Sequence, residues 1–229
     1  SGNQAVALQG SIITSNDDAN FGTGTVTLGA NSVFNTGAGA GNISVQALTG
    51  AFDLAVTGGT GTFAVATTTN ITDLTLNATG GSTFAGNVTI NDLIMAAATS
   101  AVTLQGAANT FAAAVDFANT GGTITFGDAA GDQSTFDTGV AFSGNQAIAL
   151  QGSVITTNDT ADFGTGTITL GADSVITTGA GAGNIAIGAL AGAFDLAVTG
   201  GAGTLAVATT TNITDLTLNA TGGSTFAGN

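Results

Sequence analysis

Residues 143–229 repeat residues 1–87 with 15 differences, an offset of 142 positions. The text SGNQAVALQGSIITSNDDANFGTGTVTLGA returns as SGNQAIALQGSVITTNDTADFGTGTITLGA. Fidelity over that length constrains the chain to a quasi-one-dimensional architecture, in which each unit packs on the next. Residues 1–142 read as one full long repeat and 143–229 as a partial second copy, together one continuous solenoid.

The 15 differences indicate which side chains are buried. Six exchange one large apolar residue for another: Val6/Ile148, Ile12/Val154, Val26/Ile168, Phe34/Ile176, Val45/Ile187 and Phe63/Leu205. The others are polar or small, such as Asp18/Thr160, Asn31/Asp173, Ser44/Ala186 and Gln46/Gly188. Along 43–47, Ile43, Val45 and Ala47 stay apolar while Ser44 and Gln46 vary. Period two with one dry face is the signature of a strand, which puts Val45 and Val65 inside.

Short alternating runs such as QAVAL, TVTL, NISVQAL and NVTIND are punctuated by Gly and Asn, which supply turns. The stretch LIMAAATSAVTL at 93–104 is read as strand, turn, strand. Phenylalanines in similar settings fall at Phe21, Phe52, Phe84, Phe111, Phe136 and Phe163, with Phe194 and Phe226 as copies. Their spacing predicts a parallel β-helix (β-solenoid) with coils of about 25–32 residues, five per long repeat, and one internal phenylalanine ladder. Eight or so rungs at about 4.8 Å would give a rod of roughly 40 Å. A β-sandwich is the competing fold, but with 6% aromatics and neither Trp nor Tyr the chain lacks the residues that centre one.

Composition removes most chemistry. The chain has no Lys, Arg, His or Cys, and its ionisable side chains are 14 aspartates. Acid–base and nucleophilic devices built on His, Cys, Lys, Tyr or Glu cannot be assembled, so the chain reads as a non-enzyme. Zinc sites of Cys and His are excluded, and a formal charge of −14 would repel nucleic acid and anionic lipid. No apolar run reaches the 18 or so residues of a membrane helix.

Three local motifs fall short of a site. Phe136-Asp137-Thr138-Gly139 matches the Asp-Thr-Gly of aspartic proteases, but that chemistry needs two such carboxylates and one copy occurs. Gly58-Gly59-Thr60-Gly61-Thr62-Phe63 starts like a calcium-binding nonapeptide, yet Phe63 or Leu205 stands at the ligand position. Thr-x-Thr segments at 25–27, 123–125 and 167–169, with Thr75-Leu76-Asn77 departing from the pattern, evoke the threonine ladders of ice-binding solenoids, but with unequal coil lengths these threonines need not align. No cofactor is required. Asp17, Asp18, Asp128, Asp132 and Asp159, at turns, are the candidate metal ligands, and calcium is the cation such oxygen sites would take.

Stretches such as FGTGTVTLGANSVFNTGAGAGNISV and TDLTLNATGGSTFAGNVTINDL resemble bacterial surface β-strand repeats, the passenger regions of autotransporters and filamentous-haemagglutinin-like adhesins. The resemblance covers the whole chain through Gly/Asn/Thr spacing. It implies a secreted, right-handed parallel β-helix at the surface of a bacterium with an outer membrane. The expected role is a rigid adhesin stalk or, alternatively, a self-assembling subunit of an extracellular filament, sheath or surface layer. Expected partners are further repeats, joined end to end or laterally, and a host, abiotic or neighbouring-cell surface; nucleic acid and direct membrane insertion are not expected. Asn229 corresponds to Asn87, so text like VTINDLIM is expected to follow it. A polysaccharide-cleaving β-helix would instead use paired aspartates on one face.

Overall fold

The computed structural model describes residues 4–77, 80–96 and 100–228. Among these residues there is no helix, and all 26 strands join one sheet through parallel pairings. The chain winds as a three-sided coil, each strand pairing with the strand one turn away. Val6, Val26, Leu48, Thr68 and Val88 follow one another up the first face. Ile12, Phe34, Val56, Leu76 and Met95 ascend the second. Ala19, Ile43, Phe63, Ser82, Val102, Ile124, Ile148 and Ile168 ascend the third. The coil makes about 11 turns. At about 4.8 Å each, that is a rod of roughly 50 Å.

The core is a single column inside the coil. Val45 and Val65 are each 2% exposed, in line with the alternation read from the two copies. None of the nine polar or small exchanges falls on a buried residue. The alternation breaks once: Ala47 is not inward, because the chain rounds a corner after Val45 and restarts with Leu48 inside. The strands Val88–Met95 and Ala101–Leu104 fulfil the strand reading of 93–104, with 97–99 outside the described residues.

One turn takes 19 to 25 residues, shorter than the phenylalanine spacing implied. The error has a physical origin. The three faces carry nearly the same text, so a step from one phenylalanine to the next can be a full turn or a full turn plus a face. Phe111 to Phe136 is one turn on one face. Phe84 to Phe111 moves from the third face to the first, and Phe136 to Phe163 from the first to the second.

The single ladder therefore does not exist. Phe84, Phe111, Phe136 and Phe163 are fully buried, but Phe21 is half-buried against Phe34, and Phe52, Phe194 and Phe226 are 37%, 38% and 48% exposed. Two short stacks replace it. Phe111 lies on Phe136 with centroids 4.8 Å apart, and Phe117, Phe142 and Phe163 form a second stack at 4.8 and 5.2 Å. Phe126 wedges between them edge-on, 5.6 Å from Phe117 and 6.1 Å from Phe136. Offset and edge-on rings of this kind add to plain burial. Phe117, Phe126 and Phe142 escaped the sequence reading because their settings differ from the motif tracked.

Corners are where a coiled sheet cannot pair with itself, and two devices close them. Glycine allows backbones to touch: a Cβ on Gly61 would lie 2.1 Å from the Gly41 carbonyl oxygen, and one on Gly203 would lie 2.0 Å from that of Gly183. Asparagine ties one rung to the next. The Asn42 Oδ1 accepts from the Thr62 backbone N–H at 3.0 Å and its hydroxyl at 2.9 Å; Asn145 does the same with Thr165, and Asn184 with Thr204. Asn16 and Asn158 adopt φ of 66° and 65°, a region asparagine tolerates, and accept from Gly39 and Gly181 at 2.7 Å.

Leu74 has a rung on either side and is 0% exposed. Leu74→Ala is expected to cost about 2–4 kcal/mol, the usual range for emptying a packed leucine site. Denaturant unfolding of the variant checks the loss.

Candidate functional site

The turn aspartates are used by the fold itself. Asp132 is 8% exposed, and its Oδ2 accepts from the backbone N–H groups of Asp128 at 2.8 Å and Ala129 at 3.0 Å. That closes the loop that makes this one of the longest turns. Asp18 Oδ1 accepts from the Asn42 backbone N–H at 2.8 Å and from Asn42 Nδ2 at 3.1 Å, a rung-to-rung tie. Asp17 and Asp159 are exposed, and each offers its main-chain carbonyl to a threonine hydroxyl, Thr14 and Thr156. The Asp128 and Asp132 side chains do not converge with a third acidic group; among the described residues no three carboxylates are placed to hold one ion.

Two shallow grooves gather carboxylates that the sequence reading did not group. Asp116, Asp159 and Asp162 line one of about 390 Å³, with Thr138 and Gly139 of the Asp-Thr-Gly segment on its wall. Asp116 is engaged by the Ser143 backbone N–H at 3.0 Å and hydroxyl at 2.7 Å, and Asp162 by the Gly164 N–H at 3.0 Å. The second groove, about 470 Å³, is lined by Asp173, Asp195 and Asp215. Only the register makes these neighbours, since they lie 22 and 20 residues apart in the chain.

The equivalent column in the first copy is Asn31, Asp53, Asp73, then Asp92. Asn31 and Asp53 exchange two hydrogen bonds: Asn31 Nδ2 donates to Asp53 Oδ2 at 2.8 Å, and the Asp53 backbone N–H donates to Asn31 Oδ1 at 3.1 Å. With Asp173 in place of Asn31, only the bond from the Asp195 N–H remains, at 3.1 Å. Higher in the column, Asp73 and Asp92 are register partners. Burial first, and the Asp73 charge second, push the Asp92 carboxyl above its ordinary value of 3.8.

The Thr-x-Thr segments do not share one file, since Thr27 is on the first face and Thr125 and Thr169 are on the third with Ala149 between them. Another set of threonines does line up. Thr27, Thr49, Thr69, Thr89, Thr110 and Thr135 stand on successive rungs of the first face, pointing outward. Unequal turn lengths do not disturb the rank, because the extra residues are absorbed at corners and the strands keep register. It is single file, since the neighbouring outward positions include Ala47, Ala108 and Gln133.

No protein-family model, curated protein or solved structure matches the chain. The site must therefore be judged on its own geometry: grooves of turn aspartates, an uncharged threonine rank, and one exposed phenylalanine corner per long repeat, at Phe52 and Phe194.

Two substitutions test the acidic column. Asp173→Asn should restore the second hydrogen bond to Asp195 and remove a like charge, raising stability by about 0.5–1 kcal/mol, read from the thermal midpoint. For Asp92 the raised folded pKa means that its charged form opposes folding. The penalty is full above that folded pKa and fades as pH falls through it towards 3.8. Asp92→Asn should therefore stabilise the chain at pH 7, with the gain shrinking towards pH 4 in parallel urea titrations.

Proposed function

We propose that the chain is a non-catalytic structural module, a rigid rod segment of a large secreted or cell-surface protein, acting as the stalk of an adhesin. The observation that carries this reading is the continuity of the sheet: one core runs the length of the coil, with no break at the junction between the two sequence copies. Such a rod resists bending, because flexing it would stretch the backbone hydrogen bonds on whichever side lies outside the bend. An inventory lacking His, Glu, Lys, Cys and Tyr supports a mechanical role over a chemical one. The resemblance of the repeat text to surface β-strand repeats supports a placement outside the cell, at the surface of a bacterium with an outer membrane, as part of this proposal.

A second reading is a subunit that assembles into a filament, sheath or surface layer; the same uninterrupted strand pairing across the two copies supports it.

Small-angle scattering with electron microscopy across a concentration series separates the readings. A monomeric rod of about 50 Å at all concentrations is the stalk outcome. Filaments of constant width that lengthen with concentration are the assembly outcome. A compact, near-spherical particle contradicts both.

A further inference from the structure

The long repeat is not a whole number of turns. Ala7 stands on the first face, in the outward file Ala7, Thr27, Thr49, Thr69, Thr89, Thr110, Thr135. Its copy, Ala149, does not rejoin that file. It pairs with Thr125 on the third face, in the file Thr83, Thr103, Thr125, Ala149. The same displacement holds for every pair of copies. The Ser11–Ile13 strand lies on the second face and its copy Ser153–Thr156 on the first; Ala19–Asn20 lies on the third and its copy Ala161–Asp162 on the second. Counting faces from Val6 to Ile148 gives 20 steps, that is, 6⅔ turns for 142 residues.

We infer that the repeat builds a threefold screw. Each copy advances the rod by about 32 Å, at about 4.8 Å per turn, and swings every surface feature through a third of a revolution. Three copies complete 20 turns before any residue returns above its own equivalent. The inference rests on the rod reading above and adds to it how the surface is distributed.

The rotation leaves local contacts unchanged, because a residue's neighbours lie one turn away in the chain whichever face it occupies. Matching bonds recur in both copies on different faces: the Thr36 hydroxyl to the Gly41 carbonyl at 2.8 Å and Thr178 to Gly183 at 2.9 Å, Asn16 with Gly39 and Asn158 with Gly181. Phe52 and Phe194 keep the same exposure, 37% and 38%, though they sit on different edges. The outward file moves in the same way: Thr169 and Thr211, copies of Thr27 and Thr69, stand on the third face, with Ala191 between them in the place of Thr49.

The interaction surface is therefore a spiral. No face keeps an identity from copy to copy, so the rod is ill-suited to lying flat on an extended substrate by one side.

Cysteine pairs test the winding directly, since the chain has no thiol of its own. T125C/A149C should close a disulfide on mild oxidation to the same extent as T103C/T125C, a same-face control within the first copy. T110C/A149C, which six whole turns per repeat would bring together, should stay reduced. Closure at 110–149, or a 125–149 pair that stays open while the control closes, overturns the inference. T123C/A147C reads the same junction should a variant fold poorly. A rod by scattering with the wrong pair closed would sink the screw alone, whereas a compact particle would sink the rod.

Discussion

The backbone hydrogen bond from one turn to the next governs this molecule. In a parallel ladder every residue is assigned a partner about one turn away, and that assignment settles where each side chain points. The hydrophobic effect then needs little bulk. Valine, isoleucine and leucine supply most of the lining, and phenylalanine is concentrated where the turns are longest. The corners, where strand pairing lapses, are held by asparagine side chains standing in for backbone and by glycines that permit contact closer than a methyl group allows.

Charge is the term the fold leaves uncompensated. With 14 aspartates and no cationic side chain, no ion pair between side chains is available, and a column such as Asp173, Asp195 and Asp215 places like charges one rung apart. The molecule copes by position rather than pairing. Most aspartates sit at corners in water, several accept backbone N–H groups, and where one is partly buried beside another, as Asp92 is beside Asp73, its proton affinity rises. A net charge far from zero also keeps rods apart in solution, so close lateral packing would work against this repulsion.

How much of this was legible in the sequence depends on what two copies can reveal. The exchanges Val45/Ile187 and Phe63/Leu205 identified inward positions, and Ser44/Ala186 and Gln46/Gly188 outward ones, because selection on a buried site is a selection on size and dryness. Coil length was not legible. Faces with similar text make a turn and a turn plus one face look alike, so Phe136 and Phe163 seemed stacked while standing on different sides. The grooves were hidden for a related reason: Asp116 meets Asp159 and Asp162 only through register, and spacing alone does not fix register when turns range from 19 to 25 residues. Asp132 was visible as a residue but not as a loop clasp, since its partners are the main-chain groups of Asp128 and Ala129.

The equivalence of the three faces bears on how a gene of this kind can grow. Near-identical segments recombine, and the product gains or loses a whole copy. Because each side chain meets the same companions on any side of the prism, a protein lengthened in this way folds without adjustment at the join. What changes is the heading of whatever the rod carries beyond that point, which is re-aimed by 120° with each added copy. Length and bearing are thus inherited together.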